Sequence, residues 1–142
     1  MRIRTYFASA VIALTLAALL APQGATADTA PCPDGTSLFA EYRLFFGRNK
    51  GDTEVVGDAA WRAFLAEEIT PRFPDGLTVM DAAGQWRDAA GRLIRERSKL
   101  VVILAAPGPE GTRRIDAIVE AYKRDFDQDS VLRVVGTACA AF

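Results

Sequence analysis

The 142-residue sequence contains no histidine. This absence excludes Ser-His-Asp and Cys-His catalysis and the usual zinc sites, all of which use an imidazole. The chain also lacks a Cys-x-x-Cys motif, and its two cysteines, Cys32 and Cys139, lie far apart in the sequence. A redox function is therefore poorly supported. We predict neither a metal site nor a cofactor.

A large excess of charge of one sign is absent as well, because 17 lysines and arginines oppose 18 aspartates and glutamates. Nucleic acids and anionic membranes bind to basic surfaces, so neither is a predicted partner. The predicted partner is an unknown small molecule or protein. A second copy of the chain, in a homodimer, is one such protein partner.

The N-terminus has the pattern of a secretory signal peptide, predicted at residues 1–27. Arg2 and Arg4 precede an apolar run at residues 7–21, and Ala-Thr-Ala at residues 25–27 forms a cleavage site. A membrane span needs roughly 20 apolar residues, so a retained anchor is the weaker alternative. We expect a periplasmic or secreted protein with no stable membrane insertion after cleavage.

Removal of residues 1–27 leaves a chain long enough for one compact domain and too short for two. We predict a leading segment at residues 28–36 and a single domain at residues 37–142. An exported chain meets an oxidising compartment, so a disulfide between Cys32 and Cys139 is expected. It would join the two ends of the domain.

Hydrophobic periodicity predicts four strands and two helices in the order β-α-β-β-α-β. The strands are predicted at residues 38–46, 77–87, 93–104 and 131–135, and the helices at residues 58–69 and 110–126. This order is typical of the ferredoxin-like split βαβ fold, an α+β architecture. Its four-stranded antiparallel sheet carries both helices on one face, and its first and last strands are neighbours.

The turn between the second and third strands has two candidate positions. Asp-Ala-Ala-Gly occurs at residues 81–84 and again at residues 88–91, and each copy is a plausible hairpin turn. We prefer the later copy because it gives two strands of similar length. Gly84 would then be a β-bulge.

Several stretches of the chain resemble a known family. They are Ile-Thr-Pro-Arg-Phe-Pro-Asp-Gly-Leu-Thr-Val at residues 69–79, Asp-Ala-Ala-Gly-Gln-Trp-Arg-Asp at 81–88, Glu-Arg-Ser-Lys-Leu-Val-Val at 96–102 and Phe-Phe-Gly-Arg at 45–48. On these residues the chain resembles the bacterial family called domain of unknown function 3574, over residues 37–132. The resemblance implies a small exported protein with no established activity, and it transfers no catalytic residue.

The sheet face opposite the helices is the predicted functional surface, because this fold leaves that face open. The candidate residues can bind charge or stack on a ligand: Glu41, Arg43, Arg48, Asp81, Trp86, Arg87, Glu96 and Arg97. Arg95, Arg97 and Lys99 are expected on the open face, since charges are costly beneath helices. That placement puts Glu96 and Ser98 on the helix side.

The main candidates also have plain structural interpretations. Glu96 can pair with an arginine near the hairpin tip, and Trp86 can cover the end of the core. Glu41 and Arg43 can form a solvated ion pair. Arg48 lies in a Gly-Arg-Asn-Lys-Gly loop that lacks the spacing of a phosphate-binding loop.

Without a catalytic motif, we expect a non-catalytic exported module that binds a small molecule or a protein through the open sheet face. A structural accessory protein of the cell envelope is the main alternative. A third possibility is a small enzyme in a dimeric barrel that uses Glu96 or Asp81 with arginines for proton abstraction or elimination.

Overall fold

The computed structural model describes residues 32–142 of the chain. The predicted signal peptide and residues 28–31 of the leading segment lie outside the described residues. In chain order the elements are β1 (Ser37–Gly47), β2 (Asn49–Lys50), β3 (Thr53–Glu54), α1 (Asp58–Phe64), a π-helical turn (Leu65–Ile69), a 3-10 turn (Thr70–Arg72), β4 (Thr78–Arg87), β5 (Leu93–Ala105), α2 (Pro109–Phe126) and β6 (Leu132–Ala140).

The long strands form one antiparallel sheet in the order β4-β5-β1-β6. Both helices pack on one face of this sheet, so the predicted ferredoxin-like α+β fold is confirmed. The strand that follows each helix is separated from the strand before it by one other strand, as two crossover connections require. The small β2–β3 hairpin occupies part of the stretch expected to be a loop.

Alternation along β1 places Tyr42, Leu44 and Phe46 on the helix side, where all three are buried. The ring of Phe46 lies 4.8 Å from that of Tyr122 on α2 and 5.2 Å from that of Trp61 on α1. Such edge-to-face and tilted contacts are favourable between aromatic rings. The core therefore lies between this face of the sheet and the two helices, with Trp61 inside it.

The predicted hairpin turn at residues 88–91 is confirmed. The Asp88 carboxylate accepts hydrogen bonds from the backbone N–H groups of Ala90 and Arg92, each at 2.9 Å. The predicted bulge is wrong, because Gly84 pairs with Glu96 in an uninterrupted register that runs along the whole of β4.

The expected disulfide between Cys32 and Cys139 is present, with the two Cα atoms 5.5 Å apart. It forms because β6 pairs with β1, which brings Cys139 opposite Leu38 near the start of β1. Within residues 32–142, no helix is both long enough and apolar enough to cross a membrane.

Candidate functional site

The pairing between β1 and β5 fixes which side of the sheet each β5 side chain occupies. Phe46 opposes Lys99, and directly opposed residues lie on the same face of a sheet. Because side chains alternate, Arg95 and Arg97 share the helix side with Lys99, and Glu96 lies on the open face. The predicted sides of the cations, of Glu96 and of Ser98 are therefore wrong. Each was assigned to the opposite face.

Acidic side chains make Lys99 and Arg97 tolerable on the helix side, and Arg95 is exposed. Lys99 is buried and forms an ion pair with Asp81 on β4. Arg97 lies 3.6 Å from Glu54 and 3.9 Å from Asp58. Charges beneath helices are costly only when they are unpaired. Asp81, a candidate for the open face, therefore belongs to this helix-side network.

Arg48 is the buried centre of the same network, with only 1% of its surface exposed. Its Nε donates a 2.6 Å hydrogen bond to the Val56 carbonyl, and its Nη2 lies 2.7 Å from a Glu54 carboxylate oxygen. Its Nη1 makes an ionic contact with Asp58 at 2.8 Å, outside hydrogen-bond geometry. The Arg48 charge lowers the pKa of Asp58. Arg48 is therefore an internal brace, and not an anion clamp.

The Glu96 carboxylate is the polar centre of the open face at this end of the sheet. Its Oε1 accepts a 3.1 Å hydrogen bond from Nε1 of Trp86, and its Oε2 accepts a longer one, 3.4 Å, from the backbone N–H of Asn49. The structural interpretation of Glu96 as the partner of an arginine is not what is observed. Two N–H groups, one from β4 and one from the β2–β3 hairpin, orient this carboxylate.

The Glu96 carboxylate lies in the space left by a glycine on β1, which has no side chain. A Cβ atom at Gly47 would lie 2.7 Å from Oε2 of Glu96, closer than van der Waals contact permits. The Gly47 carbonyl accepts a 2.8 Å hydrogen bond from the Tyr122 hydroxyl. Burial raises the pKa of Tyr122, so the phenol remains a donor at neutral pH. The core thus fixes the backbone against which the carboxylate rests.

Replacing Gly47 with alanine should displace the Glu96 carboxylate without unfolding the protein. The new methyl group meets the end of a flexible side chain, so the loss in free energy of unfolding should stay within about 1 kcal/mol. The Trp86 Nε1–H resonance should shift, because it loses its acceptor. Gly136→Ala, on the open face of β6, is the control and should leave this resonance in place; an unchanged resonance in Gly47→Ala would contradict the contact.

A pocket of about 410 Å³ opens beside Glu96 on the open face. Phe45, Trp86 and Leu132 give it apolar walls, and the buried Ser98 contributes a hydroxyl. Ligand pockets are typically about 300–1,000 Å³ and combine apolar walls with a few polar groups. The pocket therefore has the size and the lining for a small molecule.

Two loops form the rim of this pocket and hold each other in place. Gln128 donates a 3.2 Å hydrogen bond to the Asn49 carbonyl, and Lys50 Nζ donates a 2.6 Å bond to the Asp127 carbonyl. These contacts join the loop after β1 to the connection between α2 and β6. The rim is thus built by residues distant in sequence.

A wider and shallower depression of about 580 Å³ adjoins the pocket at Glu96. It adds the charged residues Asp52, Glu54, Arg95 and Arg97. Part of this lining is already engaged, since Glu54 pairs with Arg48 and Arg97. The less open pocket on the open face is therefore the stronger candidate site.

The other sequence-predicted residues have structural contacts. Glu41 and Arg43 form an ion pair at 2.8 Å on the open face, and the hydrogen bond from Arg43 lowers the pKa of Glu41. Arg87 donates a 2.9 Å hydrogen bond to the Gly91 carbonyl at the hairpin tip. Within residues 32–142, Trp86 and Glu96 are the only candidate residues that line the pocket beside Glu96.

Sequence reasoning missed Gly47, Asn49, Gly84 and Ser98 as parts of the site. Glycines on strands are a signal for close approach of another group, and Gly47 and Gly84 could have been noticed on that ground. Asn49 and Ser98 carry no such signal. Ser98 reaches the site through the β1–β5 register, and Asn49 reaches it from the β2–β3 hairpin. Within the part of the chain that the structure describes, no group of three or more acidic or cysteine side chains converges to hold a metal ion.

Comparisons with known proteins find both the family and the fold. A family model described as a protein of unknown function (DUF3574) matches residues 41–142, as the resemblance in sequence predicts. No curated protein matches the chain.

Two solved structures of a phage SAM lyase are similar in fold. The one in complex with S-methyl-5′-thioadenosine has a TM-score of 0.57 and 17% identity, and covers 80% of this chain and 95% of its own.

The second solved structure is the phage SAM lyase in its apo state. It has a TM-score of 0.55 and 18% identity, and covers 76% of this chain and 91% of its own. The prediction of a non-catalytic binding module is overturned by these two matches, because both of these solved structures are of an enzyme. At such identities the likeness shows the fold alone. Any activity of this chain has to be argued from its own site.

Proposed function

We propose that this chain, which belongs to the DUF3574 family of proteins of unknown function, is a small lyase acting on a sulfonium substrate at the Glu96 pocket. The observation that carries this proposal is one oriented carboxylate beside aromatic walls, in a pocket of ligand size. The fold shared with a phage SAM lyase supports the same reaction class. SAM, S-adenosylmethionine, is itself a sulfonium.

The pocket suits a small cation that carries an aromatic ring. A sulfonium sulfur has a full positive charge, which the Glu96 carboxylate attracts. The faces of Trp86 and Phe45 add attraction of roughly 0.5–2 kcal/mol for a cation placed over them. Trp86 is half exposed, at 50% of its surface, so a ligand can still cover its ring.

The proposed step is an elimination with Glu96 as the general base. Glu96 takes a proton from the carbon next to the one that carries the sulfonium sulfur. The C–H electron pair becomes a carbon–carbon double bond, and the C–S pair leaves with sulfur as a neutral thioether. Carboxylate and sulfonium lose their charges together, so apolar walls favour the step. Glu96 then returns its proton to water.

Export of the chain is part of this proposal, and the Cys32–Cys139 disulfide supports it. The natural substrate would then be a sulfonium or related cation present outside the cytosol. SAM serves as the probe for the chemistry, because its cleavage releases S-methyl-5′-thioadenosine, which is easily measured.

The proposal is tested by incubating the purified, disulfide-bonded protein with SAM and measuring release of S-methyl-5′-thioadenosine by liquid chromatography and mass spectrometry. Glu96→Gln should lower the rate by about 10²-fold or more, since an amide cannot accept the proton. The variant keeps the shape of the side chain, so its thermal unfolding should match that of the wild type.

Glu41→Gln is the matched control, because Glu41 is an open-face carboxylate on β1 that lies outside the lining of the pocket and pairs with Arg43. Its rate should equal that of the wild type. Failure of the wild-type protein to bind or cleave SAM would overturn the proposal. Equal rates in wild type and Glu96→Gln would remove Glu96 from the mechanism.

A further inference from the structure

Two glycines flank Glu96 on the neighbouring strands, and they differ in one respect. On β1, the space beside Gly47 is filled by the Glu96 carboxylate itself, whose oxygen would lie 2.7 Å from an added Cβ. On β4, Gly84 is the direct pairing partner of Glu96, and within residues 32–142 no heavy atom lies within 4 Å of a Cβ built there. The carboxylate fills the space over Gly47, whereas the space over Gly84 is open and is called the notch below.

Aromatic and apolar groups border the notch at Gly84. Every second residue of β4 lies on the open face, which places Ala82, Gly84 and Trp86 there. Successive members of this row are about 7 Å apart along the strand. The Trp86 indole reaches from its own position to the Glu96 carboxylate. The open space over Gly84 has the Trp86 indole on one side along the strand and the Ala82 methyl group on the other, and it fits a flat ring better than a branched or charged group.

We infer that Gly84 is the specificity-determining residue of the pocket, because its missing side chain admits the aromatic ring of the substrate next to Trp86. This inference rests on the proposed function and names the substrate class more closely: a sulfonium that carries a planar nucleobase-like ring. The ring occupies the notch, and the sulfur lies at Glu96. A side chain at residue 84 would take the place of the ring.

The backbone at residue 84 accepts larger residues. Gly84 has no positive φ, so the strand does not require glycine there. Gly136 on β6 is a matched position: it also faces the open side, pairs with Glu41, and has no heavy atom of the described chain within 4 Å of a Cβ built on it. The two glycines differ in that Gly84 lines the pocket beside Glu96.

The experiment compares binding of S-methyl-5′-thioadenosine by calorimetry to the wild type, Gly84→Ala, Gly84→Leu and Gly136→Leu. We expect Gly84→Leu to raise Kd by about 10- to 100-fold, the loss of one base–aromatic stack. Gly84→Ala should have a smaller effect in the same direction, and Gly136→Leu should bind as the wild type does. Thermal unfolding should show that all variants are folded.

The outcomes separate this inference from the proposed function. SAM cleavage that Glu96→Gln slows, together with S-methyl-5′-thioadenosine binding that Gly84→Leu leaves unchanged, would overturn the notch assignment while the proposed function stands. Equal weakening by Gly84→Leu and Gly136→Leu would also overturn it, since the effect would not be specific to the notch. A wild-type protein that binds neither SAM nor S-methyl-5′-thioadenosine would overturn both.

Discussion

Replacing Cys32 and Cys139 together with serine lowers the free energy of unfolding by about 4 kcal/mol. The disulfide links residues separated by 107 positions, which spans nearly the whole domain. A cross-link restricts the unfolded chain, and the restriction grows with the length of the closed loop. The native strands stay paired without it, because β1 and β6 hold each other through a ladder from Ser37 to Phe45.

Urea unfolding of the wild type and the double-serine variant, each with and without reductant, measures this effect. Reduced wild type should unfold at the same urea concentration as the variant, and reductant should not change the variant. A variant as stable as the oxidised wild type would show that the link contributes nothing to stability.

Replacing Arg48 with alanine lowers the free energy of unfolding by about 3–5 kcal/mol, as expected when a buried ion-pair network loses one partner. The change leaves the Val56 carbonyl without its 2.6 Å donor and removes a fully buried side chain. An acceptor left unsatisfied and a cavity each add to the cost. Arg48 also ties the β2–β3 hairpin to the start of α1 through Glu54 and Asp58, so both elements should loosen.

Arg62→Ala is the matched control for the Arg48 substitution. Arg62 is an exposed residue of α1, and its replacement removes the same charge, so its effect should stay within about 0.5 kcal/mol. Equal stability of the Arg48→Ala and Arg62→Ala proteins would contradict the bracing role of Arg48.

The same substitution should change the dependence of stability on pH. Arg48 lowers the pKa of Asp58 in the folded protein. A lowered pKa contributes stability above the unfolded value, which is about 3.9 for aspartate, and that stability is lost as the pH falls through the folded value. Wild-type stability should therefore fall more steeply than that of Arg48→Ala on acidification below about pH 5. Parallel curves would contradict the coupling.

The order of elements could be predicted from the sequence because each element has its own period. In β1, aromatic and apolar residues occupy every second position, and in α2 the apolar residues recur at helical spacing. Those local patterns fix the element type before any tertiary contact forms. The fold follows, since few topologies accommodate β-α-β-β-α-β with right-handed crossovers.

The faces of β5 could not be predicted, because both of its faces mix apolar and polar residues. One carries Ile94, Glu96 and Ser98, and the other carries Arg95 and Lys99. The cations were predicted on the open face because an unpaired charge is costly beneath helices. That reason applies only if no carboxylate can reach them. The carboxylates that do so come from β4, the β2–β3 hairpin and α1, which are distant in sequence.

The sequence by itself determined the family, through the stretches that resemble its members. It also determined the α+β fold and the pairing of the two cysteines, because local period, topology and cysteine number suffice for these. Only the tertiary structure decided the face of Glu96 and the nature of its surroundings. A strand has a side-chain period of two, so its register against a neighbour assigns every side chain to one face or the other. That register, together with Gly47 and Gly84 on the flanking strands, turns a carboxylate on a hairpin into the centre of a pocket.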